Sequence, residues 1–214
     1  MKKHILLDFD ETICDTRGFN SETCFESVKK HYPEVKRQEV YDMQHIVRGR
    51  TLVDIYAYII KNAANIEPEE AFVQQLVLES MEYQNENLHK VPLFEGIKLF
   101  LEKLTRSGKY VSLITNRDKD TLIKILDNHN ITKYFDNIIS CIDLQRLKPD
   151  PVAFEIVMDK DVKLKREIER ENYIYIGDSD VDKRFAQNAG IDYMIIDQYV
   201  NDYLMFKNIT NIFA

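Results

Sequence analysis

Cysteine is scarce in this chain. Its 214 residues include three, Cys14, Cys24 and Cys141. They show no Cys-x-x-Cys or Cys/His zinc spacing, and an odd, widely separated set does not suggest a disulfide framework. A reducing compartment is the expectation. Long apolar runs are missing as well. After Lys2 and Lys3 the apolar run is only Ile5–Leu7. That is too short for the core of a signal peptide and far too short to cross a bilayer. A cytoplasmic protein with no membrane association is therefore expected. Nor is there an excess of positive charge. The formal charge of −7 argues against nucleic-acid binding through phosphate contacts. It leaves room for a small anionic substrate, because a local site can be positive on an acidic protein. Internal repeats and low-complexity segments are absent. The remainder, 44% hydrophobic and 30% charged, is ordinary for a globular chain. Its length suits one generous domain or one domain with a smaller insert.

Residues 15–89 contain almost no glycine or proline and no convincing strand. Ser21 is placed to cap a helix that carries Phe25 and Val28 and ends near Pro33. Leu52, Ile55, Tyr56, Ile59 and Ile60 follow the i, i+3, i+4 rhythm of an amphipathic helix. Pro68 suits the first turn of another helix, with Glu67, Glu69 and Glu70 at its positive end. This block reads as an all-helical insert with its own small core.

Residues 4–13 read as a strand and its exit, and 90–213 alternate strand-like and helix-like stretches. Strands are predicted at Tyr110–Thr115, Asn137–Cys141, Tyr173–Ile176 and Tyr193–Ile196. Helices are predicted at 95–107 (closed by Gly108), Thr121–Asn128, Val152–Asp159 and Val181–Ala189 (closed by Gly190). A weaker helix is predicted over Lys163–Glu171. Such alternation implies an α/β fold, a parallel sheet with helices on both faces. The near-continuous apolar strands fit a sheet covered on both sides.

The chemistry-bearing residues follow the strands. Asp8 and Asp10 leave the first strand two residues apart, so a period of two sends both carboxylates the same way. Ligands of open parallel sheets bind beyond the carboxyl ends of the strands. Two close like charges are costly unless a cation sits between them or one keeps its proton. A metal-assisted reaction is the first reading, and an acidic turn the alternative. Thr115 and Asn116 end the second strand, Lys148 lies in the loop after the third, and Asp178, Ser179, Asp180 and Asp182 follow the fourth. Singly, each has a plain explanation: Thr115 as an N-cap, Lys148 as a solvated lysine, Asp178 and Asp180 as helix caps. Together they place acids, a cation and a hydroxyl on one rim.

That arrangement resembles the haloacid dehalogenase-like superfamily over essentially the whole chain. The resemblance rests on Asp8-Phe9-Asp10-Glu11-Thr12, on Val111–Thr115 with Asn116, on Lys148-Pro149, and on Gly177-Asp178-Ser179-Asp180-Val181-Asp182, in that order. It implies a Rossmann-like core, residues 1–14 and 90–214, with a helical cap at 15–89. It further implies a phosphatase in which Asp8 attacks phosphorus to form an aspartyl-phosphate. Mg²⁺ would be held by Asp8, Asp178 and the backbone carbonyl of Asp10. Asp10 would serve as acid and then base. Lys148, Thr115 and Asn116 would bind the phosphoryl group, and Asp182 would hold a metal water or Lys148. An acid at position 10 favours phosphoryl transfer over attack on carbon. Glu11 departs from the glycine common at that position.

The cap is expected to close over the site, with hinges at 14–18 and 87–92, and to offer Arg48 and Arg50 to substrate. Their planar forks suit carboxylate or phosphate. The implied substrate is a small phosphorylated metabolite: a nucleoside monophosphate, a sugar phosphate or phosphoglycolate. The alternatives are a mutase of the β-phosphoglucomutase type and a non-catalytic binding relative. No obligate protein partner is evident.

Overall fold

The computed structural model describes residues 2–46 and 52–196. Five parallel strands form one sheet: β1 His4–Leu7, β2 Tyr110–Thr115, β3 Asn137–Ser140, β4 Tyr173–Gly177 and β5 Asp192–Ile195. Their order is β3-β2-β1-β4-β5. β1 lies in the middle, with His4 opposite Tyr110 on one side and Tyr173 on the other. Every residue of β1 is buried, which explains its unbroken apolar run; a central parallel strand has no solvent face. The chain runs outward from β1 to β2 and β3 on one side and to β4 and β5 on the other. The order therefore reverses beside β1, which is where open α/β sheets leave a crevice at their carboxyl ends.

The chain divides into two compact units, Met1–Asp15 with Pro92–Ala214, and Thr16–Val91. The second unit holds α1 Thr16–His31, α2 Arg37–Ile46, α3 Leu52–Ile59 and α4 Glu70–Asn87, with a π-type turn at Ile60–Ala64 after α3. Phe25, Val28, Val40, Tyr56, Ile59 and Leu76 form its core. Ser21 does not cap α1: it lies inside the helix, buried, and its hydroxyl donates to Gln44 on α2. The helix begins at Thr16, ahead of the start that a cap at Ser21 implies.

In the first unit, α5 Ile97–Arg106, α6 Lys119–Asn128, α7 Val152–Lys163 and α8 Asp180–Ala189 connect the strands. Leu6, Ile114, Phe154, Tyr175 and Phe185 pack in its core. Gly108 and Gly190 follow α5 and α8 with φ of +71° and +66°, the left-handed geometry that glycine adopts without strain. The helix predicted over Lys163–Glu171 does not form. Lys165 turns left-handed at φ +56°, and Arg166 is drawn into ion pairs instead. β5 also differs from a doubly covered strand: Tyr193 and Ile195 are exposed, as an edge strand permits.

A buried polar network lies at the amino ends of the strands. His4 Nδ1 sits 3.0 Å from Asp161 Oδ2, and Tyr173 donates to the same oxygen at 2.9 Å. Arg166 donates to Asp161 at 3.0 Å and to Asp136 at 2.7 Å. Burial alone would raise the Asp161 carboxyl, but bonds from His4, Tyr173 and Arg166 hold it below the usual carboxylate range. A depressed folded-state pKa stabilises the fold above the carboxylate's unfolded value, and that stability disappears as pH falls through the folded one. Asp161→Asn is expected to cost about 3 kcal/mol at neutral pH, with the deficit shrinking in acid. Urea unfolding at pH 7 and pH 3 checks this, and an equal deficit at both would contradict it.

Candidate active site

Asp8 follows β1 directly. Its N–H donates to Ile176 O at 2.9 Å, so the strand's ladder with β4 fixes its backbone. The chain then turns tightly: Phe9 O accepts from Ile13 at 2.9 Å and from Cys14 at 3.1 Å. Glu11 has φ +58°, a left-handed position that glycine takes more easily.

Lys148 reaches the same place from the loop after β3. Its N–H donates to Asn116 Oδ1 at 2.8 Å, so Asn116, just past β2, anchors this loop. The ammonium is 6% exposed as a residue and meets three oxygens. These are Asp8 Oδ1 at 2.7 Å, Asp182 Oδ1 at 2.6 Å and Tyr175 Oη at 2.9 Å. Tyr175 donates its own hydroxyl to Ile114 O at 2.9 Å, leaving its oxygen to accept from Lys148. Asp182 is oriented from its other oxygen. Oδ2 accepts from Ser179 N at 3.0 Å and Ser179 Oγ at 2.5 Å, while Ser179 Oγ accepts from Asp182 N. This reciprocal pair is the capping box of α8, so Ser179, rather than Asp178 or Asp180, is the cap. Gly177 is part of the fit. A Cβ there would lie 2.5 Å from Asp182 Cγ.

The charges do not balance on side chains alone. Burial is the main force on Asp8, and the Asp182 and Asp10 charges add to it. Lys148 opposes them, yet the Asp8 carboxyl is pushed up to about 8. Burial would lower Lys148, but Asp8 and Asp182 outweigh it and raise the ammonium above its ordinary value. Burial would likewise raise Asp182, and Lys148 and Ser179 hold it down. Asp182 is thus the settled partner of Lys148, and Asp8 is the acid short of positive charge. Oδ1 of Asp8 is buried and makes no well-aligned hydrogen bond; the short approach of Lys148 is an ion pair with off-line geometry. Ligand oxygens from Asp8, Asp178 and Asp182 lie within 4.8 Å of one another. One ammonium against three carboxylates, with Asp8 Oδ1 buried and met only by an off-line ion pair, fits a hard divalent cation on oxygen donors. Asp8, Asp178 and Asp182 are the side chains that could hold it.

Asp10 meets a residue that the sequence reading passed over. Arg117 Nε lies 3.1 Å from Asp10 Oδ1 and 3.2 Å from Oδ2, and Nη2 lies 2.6 Å from Oδ1. The available signal was position, two residues past Thr115 in Thr-Asn-Arg. Thr115 is buried, and its Oγ1 accepts from Arg117 N at 3.1 Å, which leaves the hydroxyl proton to donate elsewhere. The structure thus brings Asp8, Thr115, Asn116, Lys148, Asp178 and Asp182 together at the carboxyl rim of the first unit, with Asp10 beside them. Arg48 and Arg50 lie outside the described residues.

Comparison with known proteins bears on what such a rim does. The profile described as haloacid dehalogenase-like hydrolase matches residues 5–196. A phosphoglycolate phosphatase of Vibrio cholerae is 26% identical over 193 residues, 88% of this chain and 81% of that protein. The phosphoglycolate phosphatase of Vibrio parahaemolyticus is 32% identical over 98 residues, 46% of this chain and 41% of that protein. Several such relatives are matched over less than half their length. The magnesium-bound structure of YfnB from Bacillus subtilis superposes with a TM-score of 0.78 at 17% identity, covering 100% of this chain and 99% of that one.

The close approach at Gly177 gives a direct test of how Asp182 is held. Gly177→Ala forces Asp182 off Lys148 and is expected to cost about 2 kcal/mol of stability, the usual scale for overpacking. Urea denaturation measures it; a change below about 0.5 kcal/mol, the level of a neutral surface substitution, would show that Asp182 is not tightly held.

Proposed function

This chain belongs to the haloacid dehalogenase-like hydrolase family, and we propose that it is a Mg²⁺-dependent phosphomonoesterase acting on a small phosphorylated metabolite. The observation that carries this reading is the buried Lys148 shared between Asp8 and Asp182, with Asp178 adjacent. It pairs a carboxylate nucleophile with a cation and leaves space in the charge balance for a second one. The phosphoglycolate phosphatases among the relatives suggest the size and charge of the substrate.

A carboxylate needs no base to become a nucleophile. Its difficulty is approaching an anionic phosphoryl group. Asp8, Asp178 and the Asp10 carbonyl would hold Mg²⁺, which would supply charge neutralisation at that point. Lys148 supplies a further positive charge beside the attacking oxygen. In the first step an Asp8 oxygen bonds to phosphorus as the ester P–O bond breaks, and Asp10 gives a proton to the departing oxygen. Thr115 donates its hydroxyl proton to a phosphoryl oxygen, and backbone N–H groups after Asp8 would do the same. In the second step water attacks phosphorus and passes a proton to Asp10. Inorganic phosphate leaves and Asp8 is regenerated. Asn116 acts by holding the Lys148 loop in place.

The test is Asp8→Asn assayed over a panel of phosphorylated metabolites with Mg²⁺. Turnover is expected to vanish. The same variant, melted at pH 8 without metal, is expected to be at least as stable as wild type. A carboxyl pushed up to about 8 makes burial of its charged form cost stability as pH rises from about 4 toward 8. Mg²⁺ should raise the melting temperature of the wild type and not that of Asp8→Asn. Retained turnover in Asp8→Asn would refute the assignment, as would an equal metal-induced shift in both proteins.

A further inference from the structure

Asp10 carries the acid–base role in the proposed reaction, and its carboxylate must be aimed for it. It stands in the turn after β1 with its side chain 33% exposed. An acid on a partly open turn has several rotamers of similar energy. Arg117 is built differently. Its side chain is 13% exposed, and its guanidinium lies 5.6 Å from the Phe9 ring centre. Its backbone is tied at both ends: the N–H donates to Thr115 Oγ1 at 3.1 Å, and its carbonyl accepts from Ser140 Oγ at 2.7 Å. A rigid planar fork therefore meets a partly exposed carboxylate. The contact is lopsided. Oδ1 of Asp10 takes the short bond from Nη2 at 2.6 Å and another from Nε at 3.1 Å, whereas Oδ2 receives Nε alone at 3.2 Å.

We propose that Arg117 is the positioning residue for Asp10: it pins Oδ1 and presents Oδ2 as the oxygen that delivers and then takes the proton. This rests on the phosphomonoesterase reading. In the first step the Oδ2–H bond breaks, its proton goes to the departing ester oxygen, and the Asp8–phosphorus bond replaces the ester bond. In the second, a water O–H bond breaks, the proton returns to Oδ2, and the water oxygen replaces Asp8 on phosphorus. Arg117 keeps its charge throughout and touches neither phosphorus nor the departing group. A guanidinium suits this because its donors are fixed in a plane, whereas a lysine offers a single flexible point charge.

Stopped-flow kinetics with p-nitrophenyl phosphate and Mg²⁺ separates positioning from mere support of the fold. Nitrophenolate leaves without a proton, so phosphorylation of Asp8 tolerates a misplaced Asp10, whereas hydrolysis of the intermediate does not. Arg117→Gln is expected to release a burst of about one nitrophenolate per protein molecule and then turn over about 100-fold more slowly than wild type. Arg117→Lys is expected to recover part of that rate. Combining Arg117→Gln with Asp10→Asn should slow turnover no further than Asp10→Asn alone, since both act through one carboxylate. Thermal melts establish that each variant is folded. Wild-type turnover in folded Arg117→Gln overturns the proposal, as does a uniform loss without a burst, or additive losses in the double variant. If the wild-type protein hydrolyses no phosphoester with Mg²⁺ present, the hydrolase reading itself fails and this proposal falls with it.

Discussion

A buried ammonium group dictates the arrangement of this rim. Lys148 has almost no access to water, and a charge removed from water is tolerable only with close, well-arranged partners. Asp8, Asp182 and Tyr175 are those partners, and each arrives from a different part of the fold. Asp8 comes from the end of β1, Tyr175 from β4, and Asp182 from the first turn of α8. Asn116, past β2, holds the loop that carries Lys148. The sheet order that sets β1 between β2 and β4 thus serves an electrostatic requirement as well as a packing one. Gly177 serves the same requirement by leaving room for Asp182.

The two acids of the opening turn sit in unlike surroundings, and that difference underlies the proposed division of labour. Asp8 is buried, crowded by other carboxylates and only partly compensated by Lys148. It is an acid waiting for positive charge, which suits a residue that binds metal and attacks phosphorus. Asp10 is more open and is gripped from the side by Arg117 through a fork whose own backbone is tied to Thr115 and Ser140. One acid is poised electrostatically and the other geometrically. Thr115 joins both environments, since its oxygen accepts from the Arg117 backbone while its proton stays available.

Much of the fold could be read from the sequence because parallel strands buried on both faces leave near-continuous apolar runs, as at Ile5–Leu7 and Val111–Ile114, the latter broken only by Ser112. The glycines that close α5 and α8 were equally legible, because a left-handed residue is needed there. Other features depended on distant partners. Ser21 looks like a cap, but its hydroxyl is claimed by Gln44, which no local pattern reveals. Lys163–Glu171 looks helical by composition, but Arg166 is claimed by Asp136 and Asp161. Of the candidate site, the acids, Thr115 and Lys148 were visible because chemistry collects at strand ends. Arg117 was not, because an arginine beside a strand end has no signature until its partner across the rim is known. Arg48 and Arg50, expected to face substrate, lie outside the described residues.

The central claim is that Asp8 carries the phosphoryl group during turnover. Rapid acid quench of the Mg²⁺-loaded protein with a phosphoester, followed by peptide mass spectrometry, tests it most directly. The account predicts a phosphoryl adduct on Asp8 that appears within a turnover and decays as inorganic phosphate is released. Turnover with no adduct on any residue, or an adduct at another residue that forms and decays at the turnover rate, would contradict it.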